Sequence, residues 1–152
     1  PFMRALLDEA TALPTLYPLE PRALALMAMI RAEVPRLPHL PLSLPLPAAG
    51  PLARRCEAFL RRPDAHAAID AWAAALGLGR RSFTRHFRRE TGMSFVAWRQ
   101  QACLVTALPR LAAGESVTAV AGALGYDNPA AFTTMFKRAL GVPPRAYLRD
   151  PG

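Results

Sequence analysis

A chain of 152 residues that is 52% apolar and 20% charged can build a core and carries too little charge for disorder. Its longest apolar run, Ala23–Ile30, falls short of the ~18 residues that span a bilayer, and no signal-peptide pattern is present. The formal net charge of +8 lies wholly beyond residue 50: residues 1–50 hold four basic and four acidic side chains, the remainder 15 and 7, as a polyanion-binding module requires.

Residues 3–12 and 21–34 read as two helices. The second carries Leu24, Leu26, Met27, Ile30 and Val34 at helical spacing, with Pro21 at its start and Pro35 at its stop. LPTLYP (13–18) is a turn between them. Two short helices bury little against each other, so this segment is expected to pack on another part of the protein or on a second copy. Residues 35–51 contain six prolines and read as an extended, semi-rigid connector whose leucines lie along a surface. His39 sits here without a function. A helix over 51–61 places Leu52, Cys56, Phe59 and Leu60 inward and Arg54, Arg55, Arg61 and Arg62 outward; Asp64 is a candidate cap for a helix over 65–76, in which Trp72 is core.

The next helix, about Arg80 to Glu90, turns Phe83 and Phe87 inward with His86 part-buried between them. Arg80, Arg81, Thr84, Arg85 and Arg88 occupy the opposite face, where no acid is expected to partner them. Arg81–Arg85 repulsion at i,i+4 costs stability that a bound polyanion offsets. Ser94 caps a long helix through Ala113, with Trp98, Ala102, Val105, Leu108 and Leu111 as its buried stripe. Pro109 lies inside that helix and is expected to bend it near Val105. Ser116 begins another short helix that exits at Leu124-Gly125, where glycine permits the positive φ of a sharp turn. Asn128 is a good cap and Pro129 suits the first position of a helix over 129–139, whose Phe132, Met135, Phe136 and Leu140 share one face. Ala130, Thr133, Thr134 and Lys137 point the other way. Pro143-Pro144 opens a last short helix in which Tyr147 and Leu148 close the core.

These elements repeat. Ile69, Trp72, Ala73, Leu76 and Gly77 match Val117, Val120, Ala121, Leu124 and Gly125 at an offset of 48; Phe83, Thr84, Phe87, Arg89, Gly92 and Trp98 match Phe132, Thr133, Phe136, Arg138, Gly141 and Tyr147 at 49. One residue has been added, in the second turn. Two copies of helix, glycine turn and helix are two helix-turn-helix units. The expected fold is all-α: these two units joined by a long central helix, after a short helical pair and a Pro-rich linker. The expected division is 1–34, 35–50 and 51–152, with the units at about 65–91 and 116–139.

LGYDNPAAFTTMFKRALGVPPRAYL together with FTRHFRRETGMSFVAWRQQ (83–101) resembles the DNA-binding domain of the AraC/XylS family of bacterial transcription regulators. The resemblance covers roughly residues 64–149. It rests on the Gly-Tyr before the second recognition helix, the Phe-x-x-x-Phe within it and the Gly-x-x-Pro-x-x-Tyr after it. It implies double-stranded DNA as the partner, base reading by Arg81, Thr84 and Arg85, and a place for residues 1–34 as a linker to a sensor domain or a homodimer interface. RNA polymerase is a further partner of such regulators. Gly79, where relatives have Ser or Thr, is a weak cap, and Cys103 stands where relatives tend to carry a basic residue.

In this reading the DNA-binding set is Arg80, Arg81, Thr84, Arg85, Arg88, Asn128, Ala130, Thr133, Thr134 and Lys137. Arg81 and Arg85 pair with guanine edges, while Arg88, Lys137 and the helix N-termini hold phosphates. Ala and Thr on the second helix make no bidentate base pairing, so the first unit carries most of the discrimination. No catalytic set, metal spacing or cofactor loop is visible, so neither an enzyme nor a cofactor is expected. Cys56 and Cys103 read as small apolar residues in a reducing bacterial cytoplasm, at the nucleoid, with a redox-sensing pair as the alternative. A chain starting at Pro1 has lost its initiator Met or is a piece of a longer protein. The rival readings are a helical adaptor that uses 21–34 as an amphipathic ligand, and a single-strand or RNA binder, which would want an exposed aromatic row.

Overall fold

The computed structural model describes residues 2–14, 20–36 and 42–149; the expected roles of His39 and of most of the 13–18 turn lie outside them. Every regular element among these residues is helical: α1 Phe2–Thr11, α2 Pro21–Glu33 with a 3-10 turn Val34–Arg36, α3 Gly50–Arg61, α4 Ile69–Ala75, α5 Arg80–Thr91, α6 Phe95–Ala112, α7 Val117–Ala123, α8 Pro129–Leu140 and α9 Pro144–Arg149. The chain divides into two compact units, Pro1–His39 and Leu40–Gly152.

In the first unit α1 packs on α2, with Leu6 and Ala23 buried and Arg22 paired to Glu9. The expected stripe on α2 forms only in part, with Leu26, Met27 and Ile30 half-buried. Leu24 and Val34 are exposed, along with Met29. Leu24 and Met29 are five residues apart, so they point about 140° from one another around the helix. That scatter deprives the adaptor reading of the continuous apolar face it needs.

The second unit is organised on α6. One core runs through it from Leu52, Cys56 and Phe59 of α3, past Trp72, Phe83, Phe87 and Trp98, to Val120, Leu124, Phe132 and Phe136. Trp72 contacts Phe59, Phe87, Phe95 and Trp98 with ring centroids 4.9–6.4 Å apart, mostly edge to face. The connector is tied to this core by Trp98, whose Nε1 donates to the Pro45 carbonyl at 2.9 Å, and by Gln101, whose Oε1 accepts from the Ser43 amide at 3.1 Å. Leu42 and Leu44 pack against the core, as a connector lying along a surface requires.

Some expectations for this unit need correction. The helix expected over 65–76 begins only at Ile69, because the Asp64 carboxylate accepts from the His66 amide at 2.8 Å and so closes a turn ahead of it. Arg55 is not an outward residue: it is half-buried, its guanidinium 4.9 Å from the Trp72 ring centre, a cation–π stack. Val105 is 38% exposed, whereas Cys103, Leu104 and Ala107 are buried. The α6 helix is covered by α3 and α5 on one side and by α7 and α9 on another, so its buried arc is wider than a single stripe. The α6 helix runs through Pro109. The carbonyl left without a donor is that of Val105, on the side open to solvent, where water can take the missing bond.

Three caps fall where expected, while Asp64 does not cap α4. Ser94 accepts from Ala97 N at 3.2 Å, Ser116 from Ala119 N at 3.1 Å and Asn128 from Ala131 N at 2.8 Å, while Gly79 offers no side-chain cap to α5.

The two thiols are sequestered. Cys56 and Cys103 have no exposed surface, and burial pushes their pKa up to about 12 and about 11. Neither is expected to react with a disulfide reagent at pH 8 until the protein unfolds, which argues against a redox pair; labelling with and without denaturant checks this. The unfolded chain loses both protons near pH 9, whereas the folded chain keeps them to higher pH. Stability is therefore expected to fall as pH rises above 9.

Candidate nucleic-acid interface

Phe83 and Phe87 are fully buried four residues apart, so α5 has one face fixed against α6 and the other free. Arg80, Arg81, Thr84, Arg85 and Arg88 all lie on that free side and are exposed. With Arg89 they line one open concavity. The expectation that no acid partners these arginines fails for Arg80, whose Nη1 lies 3.0 Å from Asp70 Oδ2 of α4. Arg81, Arg85 and Arg88 make no ion pair among the described residues. Thr84 Oγ1 donates back to the Arg80 carbonyl at 2.9 Å, which leaves its lone pairs outward.

Arg89 was not among the expected contacts, although the repeat marked it as the counterpart of Arg138. It is paired to Glu90 at 3.1 Å, and its other contact is His86 Nδ1 at 3.0 Å, which a neutral imidazole can accept. His86 is half-buried, the packing residue expected of it.

The same construction recurs on α8. Phe132 and Phe136 are fully buried, while Ala130, Thr134, Lys137 and Arg138 are exposed. Thr133, expected on the open face, is half-buried on its flank. Asn128 Oδ1 is engaged in capping, so only its amide NH2 is left for another partner. Superposing the copies by the offset of 49 sets Arg81 against Ala130, Arg85 against Thr134 and Arg88 against Lys137. Three cations on the first helix become one on the second.

The duplication reaches further than its sequence signal. A groove lined by Ser82, Arg85, His86 and Arg89 runs between α5 and the α3–α4 side, with Leu52 and Leu76 in its wall. A second is lined by the equivalents Ala131, Thr134, Met135 and Arg138 of α8, facing Gln100 and Leu104 of α6. Thus α3 stands to the first unit as α6 does to the second. Each reading head is a three-helix module, and α6 belongs to one while supporting both.

Two exposed helices, each following a short helix and a glycine turn and each backed by a buried Phe-x-x-x-Phe, define a double helix-turn-helix domain of the DNA-binding kind. A family model described as a helix-turn-helix domain matches residues 72–150. The chain is 36% identical over 129 residues to the HTH-type transcriptional regulator NimR of Escherichia coli K12, covering 85% of the chain and 47% of NimR. It is 29% identical over 105 residues to the HTH-type transcriptional regulator RipA of Corynebacterium glutamicum, covering 68% of the chain and 31% of RipA. Among solved structures, the DNA-binding domain of the global transcriptional factor AdpA, in complex with a target DNA, matches with 31% identity and a TM-score of 0.61, covering 66% of this chain and 92% of that one. With these motifs in these places, the chain belongs to the AraC/XylS family of bacterial transcription regulators. It spans about half of NimR and a third of RipA.

Proposed function

We propose that this chain is the DNA-reading part of a transcription regulator and sets α5 and α8 into successive major grooves on one face of a duplex. The observation that carries this reading is the exposed face of α5, on which Arg81, Arg85 and Arg88 stand without acidic partners among the described residues. Holding like charges together on a folded surface is unfavourable, and a polyanion relieves it. The AdpA domain, bound to its target DNA, supports the same occupant here.

In this assignment Arg81 and Arg85 meet guanine O6 and N7, and Thr84 lies between them on the base edges. Arg88 and Lys137 contact phosphates, as does the Asn128 amide at the N-terminus of α8. Ala130 and Thr134 offer methyl groups to thymine, and Thr133 contributes only from the flank. Arg80 is held by Asp70 and exchanges that pair for a phosphate on binding, so it adds less than Arg81 does.

Titrating a bound duplex with salt tests the electrostatic part. The three cations placed on phosphates, Arg80, Arg88 and Lys137, give a slope of log K against log salt of about −2.7. A slope near zero, or equal affinity for single strands of the same sequence, would contradict the assignment.

A further inference from the structure

The central helix α6 is not the only connection between the two reading heads. The turn Asp64–Ala67 leads into α4 and the first head, yet it is bonded to the second. Ala65 N donates to the Leu124 carbonyl at 2.8 Å, and His66 Nε2 lies 3.2 Å from Asp127 Oδ1. Leu124 and Asp127 belong to the turn that leads into α8. The same Asp64–Ala67 turn is gripped from a third side, where Arg99 of α6 donates from Nη1 to the Ala67 carbonyl at 2.6 Å. Asp64 holds the turn's shape through its bond to the His66 amide.

Gly125 shows how close the approach is. Its φ is +77°, and a Cβ built there would stand 2.9 Å from Asp64 Oδ1 and 3.4 Å from Ala65 N. The equivalent glycine of the first unit, Gly77, has a similar φ of +65° and nothing within 4 Å of the same position. The turn geometry requires glycine in both copies, but only the second is packed against by another segment. This contact is therefore not a by-product of the motif.

We propose that the Asp64–Ala67 turn is a strut that sets the angle between α5 and α8, and with it the spacing of half-sites that the protein accepts. This rests on the DNA-reading function above. A single rod such as α6 fixes the distance between two bodies but leaves rotation about its axis to side-chain packing. A third point of attachment away from the rod removes that freedom. Arg99 and Asp127 are then positioning residues for α8 that touch no DNA themselves. Inserting one base pair between half-sites moves one of them about 3.4 Å along and roughly a tenth of a turn around the duplex. Heads held by a strut cannot follow that change, whereas heads hinged on a rod can.

The test uses the whole chain and the double variant Arg99→Gln/His66→Ala, which removes the Arg99 grip and the Asp127 contact and leaves every proposed DNA contact in place. Affinity is measured for a selected duplex and for the same duplex with one base pair inserted between half-sites. The unsubstituted chain is expected to lose about tenfold or more on insertion, a loss on the scale of one base contact. The double variant is expected to lose about threefold or less. Equal losses in the two proteins overturn the strut. A second readout needs no DNA: spin labels at Ser82→Cys and Ala131→Cys, matched exposed positions on α5 and α8 beside which the buried native thiols are unreactive. The distance distribution should be narrow in the native background and broad in the variant; an unchanged width overturns the proposal. If the unsubstituted chain binds no duplex, the DNA reading fails, and the label distances alone decide the strut. If the double variant does not fold, His66→Ala alone, an exposed site, must broaden the distribution in the same sense.

Discussion

Replacing Arg85 by alanine is expected to lower affinity for the selected duplex by about 1–3 kcal/mol, or roughly five- to 150-fold, and to relax base preference at one position. Arg85 is exposed, four residues from Arg81 along the open face of α5, and makes no ion pair among the described residues. Its removal therefore breaks no internal pair, and the loss reports on the partner alone. Thermal stability should be unchanged or slightly raised, since an i,i+4 repulsion disappears. Its counterpart on α8 is Thr134, and Thr134→Ala is expected to shift affinity by much less. Measured side by side on one duplex, the two variants rank the heads. A larger effect at Thr134 would show that the second head reads the sequence and the first merely holds it.

Trp98→Ala is expected to cost about 3–5 kcal/mol of folding stability. Trp98 is fully buried where α3, α4, α5 and α6 meet, with Phe59, Trp72 and Phe87 around it. It also holds the connector through Pro45. Trp98→Phe separates the two roles: it keeps most of the volume and loses the hydrogen bond, worth about 0.5–1.5 kcal/mol. Urea unfolding gives the stability change, and limited proteolysis across residues 42–49 reports the connector. The phenylalanine variant should cut faster there at nearly native stability. If it cuts no faster, the connector is held by Leu42 and Leu44 and not by the indole.

What could be read from the residues alone was governed by short-range physics. The phenylalanine pairs four apart, the glycine turns and the Ser94, Ser116 and Asn128 caps are set within a few residues of chain. Duplication then let each copy check the other. The misreadings share a different cause. A single apolar stripe puts Val105 inward, but α6 is covered on two sides and buries Cys103, Leu104 and Ala107 instead. Arg55 looked solvated until Trp72, 17 positions on, supplied a ring for it. Arg80 found Asp70 across a turn. Thr133 sits on the border of the open face, where a helical wheel cannot decide between exposure and contact. The bond from Ala65 to Leu124 joins backbone atoms, which leave no mark in residue identity at all. Gly125 is its one trace, hidden behind a turn that needs glycine regardless.

Two unequal heads reading one duplex should leave an unequal, two-part binding site. Selecting bound sites from a random duplex pool at a stated salt concentration tests it most directly. Two conserved segments are expected, with centres one helical turn apart, about 10 base pairs, the more stringent one rich in guanine and lost in the Arg85→Ala protein. A single segment, two segments of equal stringency unaffected by that substitution, or recovery of no sequence preference would contradict it.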